Sequence, residues 1–242
     1  MPRPERDEPM PNSHRVAILF SGGKESCYAL WWSLHQGFEV SCLLTFIPRR
    51  PDAWLFHYPT VSWVRLQAQT LGIPHEAFRV EGRGEDEELG SLKKALGELK
   101  LAKGIDAIVY GVVESSYQKR CFDRVCHFLG LKSLSPLWLK EPRVLILDML
   151  KMGFRIVITR VSALGFDESW LGSTLDIERL RLLEGLRAKY GLHISGEGGE
   201  YETFVLDMPL FKERIAFIEL ERHWIGDEGY LNVRRAILEP KA

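Results

Sequence analysis

An α/β fold is predicted for this chain, with a parallel sheet in its N-terminal part and a smaller α/β unit behind it, and three observations carry that prediction. A short apolar run, Val16 to Phe20, passes directly into a Ser-Gly-Gly turn and then into an apolar helical pattern through Cys27, Leu30, Trp31 and Leu34. Strand-like and helix-like segments continue to alternate, which implies parallel pairing through right-handed crossovers and a crevice at the carboxyl ends of the strands. Near Pro136-Leu137-Trp138 the pattern changes, and a domain boundary is expected close to Gly130.

Taken in order, residues 1–13 are proline-rich, of mixed charge and nearly free of apolar side chains, and read as a flexible tail. A first domain is expected over residues 14–130. Glu39 to Phe46 reads as its second buried strand, and Pro48, Pro51 and Pro59 bracket a loop before a helix over Val61 to Leu71. Pro74 to Val80 is a third strand. The acidic run Glu85 to Glu88 opens a helix through Leu89, Leu92, Leu96 and Leu99, where negative charge suits the N-terminal turn. Ala107 to Tyr110 is a fourth strand. The second domain, residues 131–242, reads as a helix over Val144 to Met152, a strand over Phe154 to Val161 and a helix over Asp176 to Tyr190. Late strands are expected at Ile215 to Trp224 and Tyr230 to Leu238.

With 242 residues, 45% of them apolar, the chain can bury one sizeable core or two modest ones. A formal net charge of −1, with acids and bases interspersed, argues against a general nucleic-acid or membrane-surface binder. Cys27, Cys42, Cys121 and Cys126 show neither Cys-x-x-Cys nor a metal-ligand spacing with histidine, so they read as reduced core thiols and no protein-held metal is expected. No apolar run approaches membrane-span length, and the first residues are not signal-like. A soluble cytoplasmic protein is the expectation.

The first candidate site is the turn Ser21-Gly22-Gly23-Lys24-Glu25-Ser26. Two adjacent glycines accept backbone angles that a side chain forbids, so successive N–H groups can converge on one point, and the helix that follows adds its own unpaired donors. Such a point attracts an anion. Ser21 and Ser26 offer hydroxyls and Lys24 a charge, which together describe a phosphate cradle. The spacing fits neither the Walker loop nor Gly-x-Gly-x-x-Gly. The segment Gly111 to Arg120, with Ser115, Tyr117 and Gln118, leaves the fourth strand in the same way and is expected to face the same crevice.

The second candidate is His193 to Phe204, which packs Gly196, Gly198 and Gly199 among Glu197, Glu200 and Glu202, with Tyr201 and Thr203. If extended, it places Glu200 and Glu202 on one face with Tyr201 opposite; if looped, it converges three carboxylates. Converged carboxylates want a cation. Asp167-Glu168-Ser169-Trp170 ends another apolar strand and offers a second wall, where an aromatic beside acids favours a soft organic cation. His57 and His193 read as packed or surface residues.

Ser-Gly-Gly-Lys-Glu-Ser resembles the Ser-Gly-Gly-x-Asp-Ser signature of the PP-loop, or N-type ATP pyrophosphatase, superfamily. Together with Leu71-Gly72-Ile73-Pro74, Gly111 to Arg120, Asp167 to Gly172 and the run Gly196 to Phe211, it is similar to the diphthine–ammonia ligase family, in order from about His14 to Phe211. That resemblance implies an adenine-nucleotide alpha-hydrolase-like, Rossmann-like first domain and a smaller α/β domain bearing the Gly-Glu-Gly-Gly-Glu motif. It also implies amidation of diphthine on translation elongation factor 2, through an acyl adenylate, with ATP, ammonium and Mg²⁺ held through the phosphates. On this resemblance Ser21, Gly22, Gly23, Lys24, Glu25, Ser26, Gly111 and Ser115 hold nucleotide, with Lys24 assisting departure of pyrophosphate. Tyr117, Gln118, Trp170, Glu197, Gly198, Gly199, Glu200, Tyr201 and Thr203 hold substrate, and Glu200 or Glu202 binds ammonium or removes its proton. The sequence departs from the family at Glu25, where Asp is usual, at Ser116, and in part at Phe56-His57-Tyr58-Pro59. Two rival readings are a tRNA-thiolating enzyme, disfavoured by the cysteine spacing, and an ATP-binding module without catalysis.

Overall fold

The computed structural model describes residues 14–48, 63–80 and 84–241. The expected tail at 1–13 and the Phe56-to-Pro59 stretch lie outside the described residues. The first sheet holds β1 (Arg15–Leu19), β2 (Glu39–Pro48), β3 (His75–Val80), β4 (Ala107–Val109) and β5 (Lys132–Leu134). Its order is β3-β2-β1-β4-β5, and every neighbouring pair is parallel. The order reverses between β1 and β4, so the chain leaves these two neighbours in opposite directions and a crevice opens above their carboxyl ends.

The connecting helices cover both faces. Val16 and Ile18 of β1 pack on one side with Leu30 of α1 (Lys24–His35) and with Val64 and Ala68 of α2 (Val64–Leu71). Ala17 points the other way, toward Leu92, Leu96 and Leu99 of α3 (Glu85–Lys103) and Phe122 and Val125 of α4 (Ser116–Leu129). This is the period-2 alternation of a strand buried on both faces. The acidic start of α3 sits in its first turn, and Gly104 closes the helix in the left-handed conformation with φ 61°. After Gly130, near which a domain boundary is expected, the chain enters β5, which pairs with β4. Three residues that include Lys132 and Ser133 carry no strand periodicity, which is why the sequence pattern misses them.

The second sheet is antiparallel, in the order β7-β6-β9-β8. It is built from β6 (Arg155–Val161), β7 (Tyr201–Asp207), β8 (Glu213–Ile225) and β9 (Glu228–Pro240), with α5 (Pro142–Lys151) and α6 (Ile177–Tyr190). The β8–β9 hairpin meets β6 only at Arg160–Tyr230 and Val161–Gly229. Both helices are capped as their sequences suggest, by the Glu141 carboxylate for α5 and by Asp176 for α6. The two units share an interior: Phe204, Val205, Ile156 and Leu183 belong to the same apolar cluster as Ile18, Leu30 and Val64. No helix among the described residues is long and apolar enough to cross a membrane.

Phe204 is fully buried in this shared cluster and packs on Phe217, with ring centroids 5.4 Å apart. Phe204→Ala is therefore expected to cost about 3–5 kcal/mol, which for a chain of this size lowers Tm by about 10 °C. A scanning calorimetry trace should keep a single transition; two separated transitions would show that the units do not share a core.

Candidate active site

The turn after β1 is fixed from several sides. Gly22 has φ 81°, and a Cβ there would lie 2.5 Å from Gln67 Oε1 and 3.1 Å from the Phe204 ring, so glycine is required both for angle and for space. Ser21 Oγ accepts the Gly23 N–H (3.4 Å) and donates to Ser26 Oγ (3.3 Å), which donates to the Gly23 carbonyl (3.0 Å). Gly23 is the N-cap of α1 and offers no side chain of its own to cap it. A methyl at Gly23 would first meet Thr203, at 3.3 Å from its carbonyl oxygen, so crowding there falls on β7.

The facing wall is the segment after β4. Gly111 approaches the start of α1 so closely that a Cβ would sit 2.6 Å from the Glu25 carbonyl carbon. Ser115 caps α4 by accepting the Gln118 N–H at 3.4 Å. The N–H groups of Glu114 and Ser115 donate to Glu197 Oε2 at 3.1 and 2.9 Å, so a carboxylate of the second unit reaches the N-terminal end of α4. Between these walls lies a pocket lined by apolar side chains, among them Leu44, Phe46, Val112 and Phe122, and by polar ones, among them Ser21, Glu25, Ser26, Gln118 and Glu197. Its lining, among the described residues, contains two carboxylates and neither lysine nor arginine.

Lys24 is placed differently from the expectation that it charges the phosphate cradle. Only 2% exposed, it does not line the pocket; its ammonium lies 2.8 Å from Glu25 Oε1, donates to the Ser195 carbonyl (2.9 Å) and sits 4.5 Å above the centre of the Tyr201 ring. Burial opposes the charge, but Glu25 and Tyr201 outweigh it and hold the Lys24 pKa above its ordinary value. Burial pushes the Glu25 carboxyl up, with Lys24 pulling against it. The cation expected over Tyr201 from outside is thus supplied by the chain itself. Burial pushes the Tyr201 phenol up to about 12, and its hydroxyl donates to the Ile194 carbonyl.

The remaining residues of the acidic motif are also engaged internally. Glu200 accepts the His193 N–H (2.9 Å) and the Gly198 N–H (2.8 Å), closing residues 193–200 into a loop, and a Cβ at Gly198 would lie 2.9 Å from that carboxylate. Gly199 has φ 83° and its carbonyl accepts from Ser162 Oγ at 2.6 Å. Glu202 pairs with Arg160 at 3.5 Å, and Thr203 Oγ1 accepts the Lys24 N–H at 3.2 Å. Trp170 is buried, meets Phe166 edge-on at 4.9 Å and carries the Arg179 guanidinium over its ring at 4.7 Å. Neither Glu200, Glu202, Tyr201, Trp170 nor Tyr117 lines the pocket; within the motif, Glu200, Glu202 and Tyr201 are turned to partners inside the protein. Of the expected substrate contacts, Gln118 and Glu197 do line it.

The structure adds one residue that the sequence reading passed over, Gln67, and gives partners to His193, which that reading took as packed or surface. Gln67, fully buried in α2, donates through Nε2 to the carbonyls of Gly22 (2.9 Å) and Val205 (2.8 Å), and so ties the turn to β7. His193 accepts the Ser195 N–H at Nδ1 (3.2 Å), which leaves the proton on Nε2, 3.0 Å from Glu114.

This pocket and both of its walls fall within regions that match two family models, the diphthamide synthase N-terminal domain over residues 14–133 and the diphthamide synthase C-terminal domain over residues 141–238. The chain belongs to the diphthamide synthase family. Within that family it is 33% identical over 219 residues to the diphthine–ammonia ligase of Homo sapiens, covering 83% of this chain and 82% of that one. It is 31% identical over 236 residues to the diphthine–ammonia ligase of Danio rerio, covering 90% and 92%. Among solved structures, a U34-tRNA thiolase from Methanococcus maripaludis aligns over 82% of this chain and 74% of its own, with a TM-score of 0.38 and 16% identity.

Because Glu200 accepts two backbone donors, one part-buried and one exposed, Glu200→Ala is expected to cost about 1 kcal/mol, chiefly through the His193 N–H. Hydrogen exchange at Gly198 and His193 should speed up severalfold. Unchanged exchange would mean that the carboxylate does not hold the loop.

Proposed function

We propose that this chain is a diphthine–ammonia ligase, joining ammonia to the carboxyl of diphthine at the cost of ATP, with AMP and pyrophosphate released. The observation that carries the reading is the composite pocket: the phosphate-type turn Ser21 to Ser26 comes from one family domain and Glu197 from the Gly-Glu-Gly-Gly-Glu motif of the other. We take the two units to meet within residues 135–141, after β5 and before α5. The apolar lining residues Leu44, Phe46 and Phe122 suit a purine, and the glycine turn and the start of α1 suit phosphates.

The reaction needs a leaving group better than oxide, and an acyl adenylate provides one by expelling pyrophosphate; ammonia then attacks the acyl carbon and AMP departs. The hydroxyls of Ser21 and Ser26, which line the pocket, would bear the charge that builds on the phosphates, since Lys24 is committed elsewhere. Mg²⁺ fits the donor set, because Glu25 and Glu197 face a pocket whose lining has no basic side chain and a polyphosphate cannot share it with them uncompensated. When bound it would neutralise phosphate charge and orient the chain of phosphates. The cationic end of diphthine meets negative charge at Glu114, which is 44% exposed beside the pocket, in place of the buried Tyr201 and Trp170 rings. The protein substrate is taken to be translation elongation factor 2 and the compartment the cytoplasm. Thiolation is disfavoured, since all four cysteines are buried and burial pushes the Cys126 thiol up to about 12.

Purified protein given diphthine-bearing elongation factor 2, ATP, Mg²⁺ and an ammonium salt should yield AMP and pyrophosphate, with a 1 Da loss from the factor in accurate mass as OH becomes NH₂. ADP as the main product, or a requirement for glutamine in place of ammonium, would overturn the assignment.

A further inference from the structure

A lysine at the first position of a helix ordinarily extends into water, yet Lys24 is 2% exposed. Desolvating an ammonium costs several kcal/mol unless its charge and its hydrogens are met. An ammonium has three hydrogens to place, and Lys24 directs them to Glu25 Oε1, the Ser195 carbonyl and the Tyr201 ring face. Two of these three partners belong to the 193–203 segment of the second unit, and the third is a carboxylate that lines the pocket. The Lys24 N–H adds a fourth tie, to Thr203 Oγ1. At its other side the same segment is held by Glu197, which lines the pocket and accepts the N–H groups of Glu114 and Ser115. The segment is thus anchored at two points, and each anchor adjoins a pocket wall.

We propose that Lys24 is a positioning residue that couples the Ser21-to-Ser26 turn to the 193–203 loop, so that nucleotide bound in the first unit orders the glutamate-bearing loop of the second. The inference rests on reading the pocket as a nucleotide site. A phosphate drawn onto the turn restrains Gly23 and Glu25, on either side of Lys24, and the ammonium passes that restraint to Ser195 and Tyr201. Coupling of this kind is reciprocal, so a loop held in place also favours bound nucleotide. It accounts for a charged side chain in a position where a leucine would pack without desolvation cost.

The test is hydrogen exchange of the full chain, with and without saturating ATP and Mg²⁺, in the wild type, Lys24→Met and Lys24→Arg. In the wild type, nucleotide should slow exchange at both 21–27 and 193–203, by about fivefold or more. In Lys24→Met the slowing at 21–27 should persist and that at 193–203 should fall below about twofold, with ATP Kd changed by less than about threefold and kcat for amidation down about tenfold. Lys24→Arg, which keeps the charge, should recover part of the slowing at 193–203. The proposal is overturned if nucleotide leaves 193–203 of the wild type unchanged, a result that needs no variant to fold. It is also overturned if Lys24→Met keeps full slowing there, including the case where its ATP affinity drops tenfold, which would mark Lys24 as a phosphate ligand. Exchange and ATP binding require no diphthine, so a wild type that shows the coupling yet fails to amidate would sink the proposed reaction and leave the coupling standing.

Discussion

The backbone of β7 lies against the turn that leaves β1, and the site exists because of that contact. The Gly22 carbonyl accepts the Val205 N–H at 3.0 Å, the Thr203 hydroxyl accepts the Lys24 N–H, and Gln67 bridges Gly22 and Val205 from α2. Each bond joins an atom of the first unit to one of the second, or clamps the two together. Phe204 fills the space that a side chain at Gly22 would need, so the glycine serves the joint as much as it serves any ligand. With this joint made, the loop that precedes β7 has nowhere to go but over the carboxyl ends of β1 and β4, and Glu197 is delivered to the N-terminal end of α4.

Charge follows from the same constraint. Bringing β7 onto the turn buries Lys24, and a buried ammonium demands partners. Tyr201 and Glu25 answer that demand, which removes the aromatic face and one carboxylate from the set available to a ligand at that point. The polar side chains that line the pocket include Glu25, itself paired with Lys24, together with Glu197, Gln118, Ser21 and Ser26. An acidic lining beside a phosphate-type turn is self-repelling toward a polyphosphate alone and accommodating toward one that arrives with a divalent cation.

The first sheet was legible because its signals are local. Val16 to Phe20 is a continuous apolar run, the glycine pair interrupts it, and the helix after it repeats apolar residues at helical spacing, so strand, turn and helix each declare themselves within a few residues. The parallel order followed from alternation, and the second-unit strands from apolar runs such as Phe154 to Val161. β5 was not legible, since three residues at the end of a sheet have no period to read. The direction of the side chains in the acidic motif was not legible either. Tyr201, Glu25 and Lys24 have the composition of a ligand cage, and only the packing of β7, more than 170 positions away in sequence, against the turn shows that they satisfy one another. Gln67 illustrates the same limit, because a polar residue in a helical pattern looks solvated until the carbonyls it meets are known. Glu197 faces the pocket while Glu200 and Glu202 do not, and composition, which set all three glutamates alike among the glycines, gave no means to separate them.

The central claim is that one nucleotide site is assembled from the turn of the first unit and the glutamate loop of the second. A crystal structure of the protein with Mg²⁺ and an ATP analogue bearing a methylene between its α and β phosphates tests it most directly. The account predicts the purine against Leu44, Phe46 and Phe122, the phosphates within hydrogen-bond distance of residues 21–26, and Glu197 beside them. Phosphates bound away from that turn, or a 193–203 loop that stands clear of the nucleotide, would contradict it.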